Sequence, residues 1–426
     1  MHMTGLLCYT CGKSHPANPG LFVCPTCGGN LGVSYDMAAL REESDLHRLL
    51  TAGRRDLFRY AHLLPIRSLE SISPLVVGQT PLYQARRLGA AIGMDNVYLK
   101  DDSRMPSNSF KDRAGAVALA VAREQGASVI AAASTGNAGC SMACLCASVD
   151  LPCVVVVPES APAPKLAQLA AYGAHVLAVR GTYDDACRVC RDLCDETGWF
   201  NRMTGFNPYT REGKKTVSFE LWEPFNEATP DRVVVSVGDG NIISGKWKGF
   251  CELYALGLIR SLPRIDCIQA EGSAAITHAI HALRATGDQI PDRWDALQVP
   301  AVRASTLADS ISVDQPLDAI AAIRAVVESG GEAITVSDDA IAAAMPELAR
   351  LSGVFAEPAA AAVWAGLRSM AADHRVDPEE VTVLLVTGSG LKDPRALNRF
   401  AVAAEVIDPV LTDALQAVSR MALPGT

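Results

Sequence analysis

Two hydrophobic rhythms alternate along most of this chain. Short uninterrupted apolar runs occur at Val97 to Lys100, Val129 to Ala133, Cys153 to Val157, His175 to Val179, Val233 to Val237, Ile265 to Ala270 and Val381 to Val386. Helix-length segments such as Gly115 to Gln125, Ala138 to Val149 and Ala163 to Tyr172 lie between them. Apolar runs of this length without polar alternation predict strands buried on both faces. Strand, helix, strand in this order predicts open parallel sheets covered by helices on both sides, an α/β architecture. Residues 37–75 read as helical and charged, and Pro74 begins the alternating pattern. No repeat is evident beyond that alternation.

Composition narrows the class further. The 426 residues correspond to two or three domains at roughly 150 residues each. Apolar residues make up 49% and charged residues 20%, which excludes disordered and collagenous readings. The net charge of −9 and the lack of a basic run give no field that would draw nucleic acid or anionic membranes, although a local phosphate pocket stays open. The uncharged stretch from Gln125 to Val149 is long enough for a bilayer, but it carries Ser128, Ser134, Thr135, Asn137 and Ser141 and reads as buried structure. The start, Met1-His2-Met3-Thr4-Gly5, lacks a basic segment followed by an apolar core, so a cytoplasmic protein is expected. Its 13 cysteines, an odd number, are then expected to be thiols or metal ligands.

Four of those cysteines form two pairs, Cys8-Tyr9-Thr10-Cys11-Gly12 and Cys24-Pro25-Thr26-Cys27-Gly28. Each pair brings two thiolates together from one tight turn, and two such turns supply the tetrahedral set that zinc prefers. With all four positions filled by protein, the site would be structural. A ribbon that folds without metal, or an iron site of the same spacing, is the alternative. Cys187, Cys190 and Cys194 share one helix face, and Cys140, Cys144 and Cys146 lie on an Ala-rich helix; both groups read as core packing. The eight histidines fall in no metal or nucleophile motif.

In open parallel sheets, functional groups collect in loops at the carboxyl ends of strands. Four loops are rich in such groups. The first, Ser107-Asn108-Ser109-Phe110-Lys111-Asp112-Arg113, sets Lys111 at the mouth of a helix, where the dipole favours a neutral amine or an imine; an ordinary surface lysine is the alternative. The second, Ser134-Thr135-Gly136-Asn137-Ala138-Gly139, suits a carboxylate or other anion. The third, Gly238-Asp239-Gly240-Asn241, opens a helix and suits a phosphate, although its spacing departs from the dinucleotide fingerprint. The fourth is Thr387-Gly388-Ser389-Gly390-Leu391-Lys392-Asp393.

Taken together, these segments resemble the fold-type-II pyridoxal-phosphate enzymes, the tryptophan synthase β family, and among them the threonine synthases. Gly78-Gln79-Thr80-Pro81-Leu82 resembles the family's first motif, Ser109 to Arg113 its Schiff-base segment and Ser134 to Asn137 its asparagine loop. Glu212-Gly213-Lys214-Lys215-Thr216, the 238–241 loop, Glu357-Pro358-Ala359 and the 387–393 loop keep the family's order. The resemblance implies pyridoxal 5'-phosphate on Lys111, which would also move protons at the substrate carbons. It implies Asn137 at the cofactor's 3-oxygen, and Gly238, Asp239, Gly240 and Asn241 around its phosphate. Thr387, with Ser389, would face the pyridine nitrogen, and a hydroxyl there suits elimination and replacement better than transamination. Ser134, Thr135, Thr204, Thr210, Arg211 and Lys214 would meet a small amino-acid substrate. The amino-terminal Cys8, Cys11, Cys24 and Cys27 set, with structural Zn2+, is also seen in many threonine synthases.

The implied domains are a zinc-ribbon-like knuckle at 1–36, a larger cofactor-binding subdomain at 37–105 and 215–426, and a smaller one at 106–214 with the asparagine loop. A homodimer is expected, with neither nucleic acid nor membrane as partner. The implied reaction converts O-phosphohomoserine and water to threonine and phosphate. Two departures bear on it: Thr210 stands where an Arg commonly follows Asn-Pro, with Arg211 one residue late, and Asn108 replaces the usual Gly of the lysine loop. The alternatives are a sibling lyase working by β-elimination or β-replacement on a serine- or threonine-like substrate, cysteate synthase-like or dehydratase-like, and a non-catalytic binding protein of the same fold.

Overall fold

The computed structural model describes residues 2–43, 45–134, 136–161, 163–225, 228–287, 294–400 and 404–420. Strands β1 (Met3–Cys8), β2 (Ser14–His15) and β3 (Leu31–Tyr35) form an amino-terminal antiparallel sheet in the order β2-β1-β3. β4 (Leu82–Gln84) and β5 (Val97–Asp101) come next, then β6 (Ile130–Ala133), β7 (Cys153–Pro158), β8 (His175–Val179) and β9 (Phe200–Asn201). β10 (Arg232–Ser236), β11 (Arg264–Ala270), β12 (Ala333–Val336) and β13 (Thr382–Val386) complete the set. β6 to β9 make a four-stranded parallel sheet ordered β8-β7-β6-β9, and the remaining strands a six-stranded sheet ordered β12-β11-β10-β13-β5-β4. The larger sheet is thus assembled from chain on both sides of the smaller one.

Each of the seven apolar runs is a strand, and the class is α/β with parallel sheets. Two details differ from the expectation. The large sheet is mixed, because β4 pairs antiparallel with β5 at its edge. β8 is an edge strand with several exposed residues, since an edge position leaves one side without a neighbour. Among the described residues of 37–75 there is no long helix. Short helices at Met37–Arg41 and Leu46–Thr51 are followed by turns at Leu57–Leu63 and Leu69–Ser71, as Gly53, Pro65 and Pro74 interrupt the segment.

Alternate residues of the large sheet pack on opposite layers, which is why its strands read as continuously apolar. Val233, Val235, Val383 and Leu385 meet Ile243, Phe250 and Leu253 on one side. Val234, Ile268 and Leu384 meet Val363, Trp364 and Leu367 on the other. In the smaller sheet, Ala131, Ala133, Val154 and Val156 pack against Cys187, Cys190 and Cys194, the core role expected of those thiols.

The helix Tyr209–Trp222, called the bridge helix below, is buried along its whole length. It packs between the lysine helix, Lys111–Glu124, and the cradle helix, Asn241–Ala255. Gly213 permits this, because a Cβ there would overlap the carbonyl of Arg113. Among the described residues, no helix is long and apolar enough to cross a membrane.

Candidate active site

The lysine loop is fixed from three directions. Ser107 donates to the Asp112 carboxylate from its backbone N–H at 2.7 Å and its hydroxyl at 2.5 Å. The Phe110 N–H donates to the carbonyl of Thr387 at 2.8 Å, and the Ser389 N–H to the carbonyl of Asn108 at 3.1 Å. Behind the loop, Arg113 binds Asp102 through Nε at 2.7 Å and Glu220 through Nη1 at 2.5 Å, and Lys100 binds Glu220 at 2.7 Å. Thr80 of the Gly-Gln-Thr-Pro motif donates through its hydroxyl to Asp102 and through its N–H to Glu220. These charged residues are structural: they hold the strand before the loop, the lysine helix and the bridge helix in register.

Lys111 begins its helix, and its Nζ makes no hydrogen bond with the described residues. Burial lowers its pKa and the Arg202 charge adds to that, while Glu357 and Asp239 oppose it. The shift favours the neutral amine, the form that attacks a carbonyl carbon or accepts a proton.

Facing Lys111 from the large sheet, the turn after β10 ends in Gly240, whose φ of +93° is a left-handed geometry suited to glycine. The cradle helix follows and presents its amino-terminal N–H groups, a ready anion site. Lys214 donates to Asn241 Oδ1 at 2.5 Å, and its pKa is driven well down by burial and by the charges of Lys111 and Arg202. Burial raises the Asp239 carboxyl. Asp239 Oδ1 accepts from the Leu317 N–H at 3.2 Å, and the Asp239 carbonyl accepts from the Asp318 N–H at 3.0 Å. From the smaller sheet, Asn137 donates to Glu357 Oε1 at 2.8 Å. Ser134 is buried, with its hydroxyl accepting from the Gly136 N–H at 3.2 Å.

The structure therefore gathers Lys111, Asn137, Lys214 and the Gly238 to Asn241 turn into one electrostatic neighbourhood, with Ser134 at the start of the Asn137 loop. Thr387 is buried beside the lysine loop, whereas the Ser389 hydroxyl caps the Leu391 N–H at 3.3 Å. Thr135 lies outside the described residues. The Thr210 hydroxyl donates to the carbonyl of Asn207, just before the bridge helix, at 2.8 Å and reaches Asn241 Oδ1 of the cradle helix at 3.3 Å. Arg211 is turned the other way: it pairs with Asp318, donates to the carbonyl of Leu31 at 3.1 Å and lies 4.2 Å over the Tyr9 ring.

Two further residues belong to this neighbourhood. Glu357 is buried between Asn137 and Lys111, and its Glu-Pro-Ala motif was a signal of position without a role. Arg202, just past the two-residue β9, is 1% exposed and donates through Nη1 to Thr204 at 2.9 Å. Nothing in the sequence marked Arg202, since it sits in no glycine-rich loop. The charge balance, with Lys111, Lys214 and Arg202 beside Asp239 and Glu357, fits a phosphorylated cofactor joined to a lysine.

At the amino terminus, the Sγ atoms of Cys8, Cys11, Cys24 and Cys27 lie within 4.8 Å of one another. Burial pushes the Cys8 thiol up to about 12, a cost that a bound cation would remove. The cluster is compatible with a zinc knuckle.

One parallel and one largely parallel sheet, with a buried lysine and a glycine-rich turn at the helix starts beyond their strands, define a fold-type-II pyridoxal-phosphate enzyme. Residues 74–388 match the family described as pyridoxal-phosphate dependent enzyme, and the chain belongs to that family. Over 395 residues it is 36% identical to the threonine synthase of Methanocaldococcus jannaschii, covering 92% of this chain and 94% of that one. It is 36% identical over 411 residues to the threonine synthase of Methanosarcina acetivorans, covering 95% and 96%. Among solved structures, the processed form of threonine deaminase isoform 2 from Solanum lycopersicum superposes with a TM-score of 0.64 at 20% identity, over 82% of this chain and 94% of that one. That likeness bears on the fold alone.

Proposed function

We propose that this enzyme is a threonine synthase, converting O-phosphohomoserine and water to threonine and phosphate. The observation that carries the reading is threonine synthase similarity over 92% of the chain, coinciding with Lys111 set opposite the cradle. Pyridoxal phosphate, when bound, supplies the electron sink that acidifies the substrate's carbon-bound protons. Lys111 holds the cofactor and, once freed, carries protons between substrate carbons, a role favoured by its lowered pKa. Gly238, Asp239, Gly240 and Asn241 hold the cofactor phosphate, and Lys214, bonded to Asn241, takes part in that hold. Asn137, oriented by Glu357, meets the 3-oxygen, Thr387 the pyridine nitrogen, and Ser134 with Thr135 the substrate carboxylate.

Cys8, Cys11, Cys24 and Cys27 hold a structural Zn2+ with no open position for catalysis. The working assembly is a homodimer in the cytoplasm.

A second reading, β-elimination or β-replacement on a serine- or threonine-like amino acid, is favoured by one observation: Arg211 is committed to Asp318. Assaying O-phosphohomoserine, O-phosphoserine, serine and threonine side by side decides between them. Threonine and phosphate should form from the first substrate, and Lys111→Ala should abolish both turnover and the protein-bound visible band. Turnover of a serine derivative with none of O-phosphohomoserine moves the enzyme to the second reading.

A further inference from the structure

Three cations lie close enough to perturb one another at the site: Lys111, Lys214 and Arg202. Two have evident tasks. Lys111 heads its helix at the cofactor position, and Lys214 is engaged with Asn241 at the start of the cradle helix. Arg202 is left over. Its Nε and Nη2 are buried and make no hydrogen bond with the described residues, although an uncompensated buried charge is ordinarily costly. A guanidinium kept in that condition points to an anion that arrives from outside.

Its place in the fold says which anion. Arg202 follows β9, which pairs with β6, and its backbone N–H donates to the carbonyl of Ala131 at 2.9 Å. It therefore enters from the smaller sheet, beside the strand that ends in the Ser134 to Asn137 loop, whereas the cradle belongs to the larger sheet. Thr204 accepts from Nη1 and leaves free the Nε and Nη2 edge. That edge matches two oxygens of a phosphate or carboxylate in a forked pair. Neither Thr210, whose hydroxyl is taken up by Asn207 and Asn241, nor Arg211, paired with Asp318, offers such an edge.

We infer that Arg202 anchors the anionic γ-substituent of the substrate, supplying from β9 the charge missing at position 210, with Thr204 as its positioning residue. This assignment rests on the threonine synthase reading and deepens it. Thr204 presents its hydroxyl to the guanidinium, so its role is to fix the plane in which the phosphate oxygens are met.

The test uses holoenzyme carrying Arg202→Gln or Arg202→Lys, with inorganic phosphate and a non-hydrolysable phosphonate analogue of O-phosphohomoserine as probes. Binding is read from the cofactor's visible spectrum and by calorimetry, alongside kcat/KM. Arg202→Gln is expected to weaken phosphonate and phosphate binding by roughly 100-fold, with the visible band intact and serine affinity unchanged. Arg202→Lys should fall between, because a point charge replaces a fork, and it keeps the test valid if the Gln variant folds poorly. Phosphonate binding equal to wild type in both variants overturns the assignment while leaving threonine synthase activity in place. Arg202-dependent phosphate binding in an enzyme that does not turn over O-phosphohomoserine upholds the anchor and removes the substrate reading.

Discussion

At the scale of single residues, the lysine loop turns on a backbone angle. Asn108 has φ +62°, the left-handed region that glycine enters freely and asparagine enters more readily than other side chains. The Asn found where the resembling family usually carries Gly is thus a conservative change of backbone chemistry. The Asn108 carbonyl also receives the Ser389 N–H, so the angle sets the distance between the lysine loop and the 387–393 loop. Asn108→Gly should leave cofactor binding and turnover near wild type. Asn108→Val should destabilise the enzyme by roughly 1–2 kcal/mol and weaken cofactor retention. Thermal melts and the visible band of the two variants check this, and equal behaviour would remove the argument. The motif residues were legible because their side-chain chemistry is unusual for their loops. Arg202 and the commitment of Arg211 were not, because pairing across 107 residues, as between Arg211 and Asp318, leaves no local pattern.

At the scale of elements, the buried charges of the lysine and bridge helices hold the site's scaffold together. Glu220 receives both Arg113 and Lys100 in a setting where all three side chains are at most 2% exposed. Burial alone would push its pKa up, but the two cations outweigh that and hold the carboxyl well below the usual range. A carboxyl depressed in the folded state contributes stability that is full above its unfolded pKa of about 4.3 and drains as pH falls below it. Glu220→Gln should cost about 3–5 kcal/mol at neutral pH, as an abandoned buried cation does. It should also narrow the loss of stability between pH 5 and pH 3. Denaturant titrations at neutral pH and at these two values measure both effects, and an unchanged acid response would locate the sensitivity elsewhere. This network also explains why elements were more legible than their joints. Continuous apolar runs announce the seven strands buried in the middle of the parallel order or beside it, whereas β4 and β9, of three and two residues, are too short to carry a period, and β1 and β3, interrupted by Gly5 and Gly32, carry no continuous run.

At the scale of the whole molecule, the cysteine turns and the helix Asn241–Ala255 meet at Asp318, and Arg211 joins them as well, donating to the Leu31 carbonyl and to Ser244. Asn30, between the last cysteine and β3, donates to Asp318 Oδ1 at 2.9 Å and to the carbonyl of Leu317 at 2.6 Å. Asp318 in turn accepts from Asn241 at 2.9 Å and Ser244 at 2.6 Å on the cradle helix. Arg324, on the helix Ala319–Ser329, donates to the carbonyl of Tyr9 at 3.4 Å, adding a further link from the cysteine turns to the elements of the large sheet. A metal that fixes the two cysteine turns therefore also fixes the loop that steadies Asp318, although the metal is remote from the chemistry. Chelation of the zinc-loaded enzyme should leave the large sheet intact, because its two cores contain no residue of the cysteine turns, should loosen the smaller sheet where Phe22 packs on Phe200, and should raise the dissociation constant for pyridoxal phosphate about tenfold, or 1.4 kcal/mol. Equilibrium dialysis with the cofactor, before chelation, after it and after zinc is restored, reads this directly. Asn30→Ala should reproduce part of the loss with the metal still bound at one ion per chain. Chelated enzyme that retains cofactor as tightly as before would show that Asp318 is held by Arg211, Asn241 and Ser244 alone, and that the knuckle serves only its own fold.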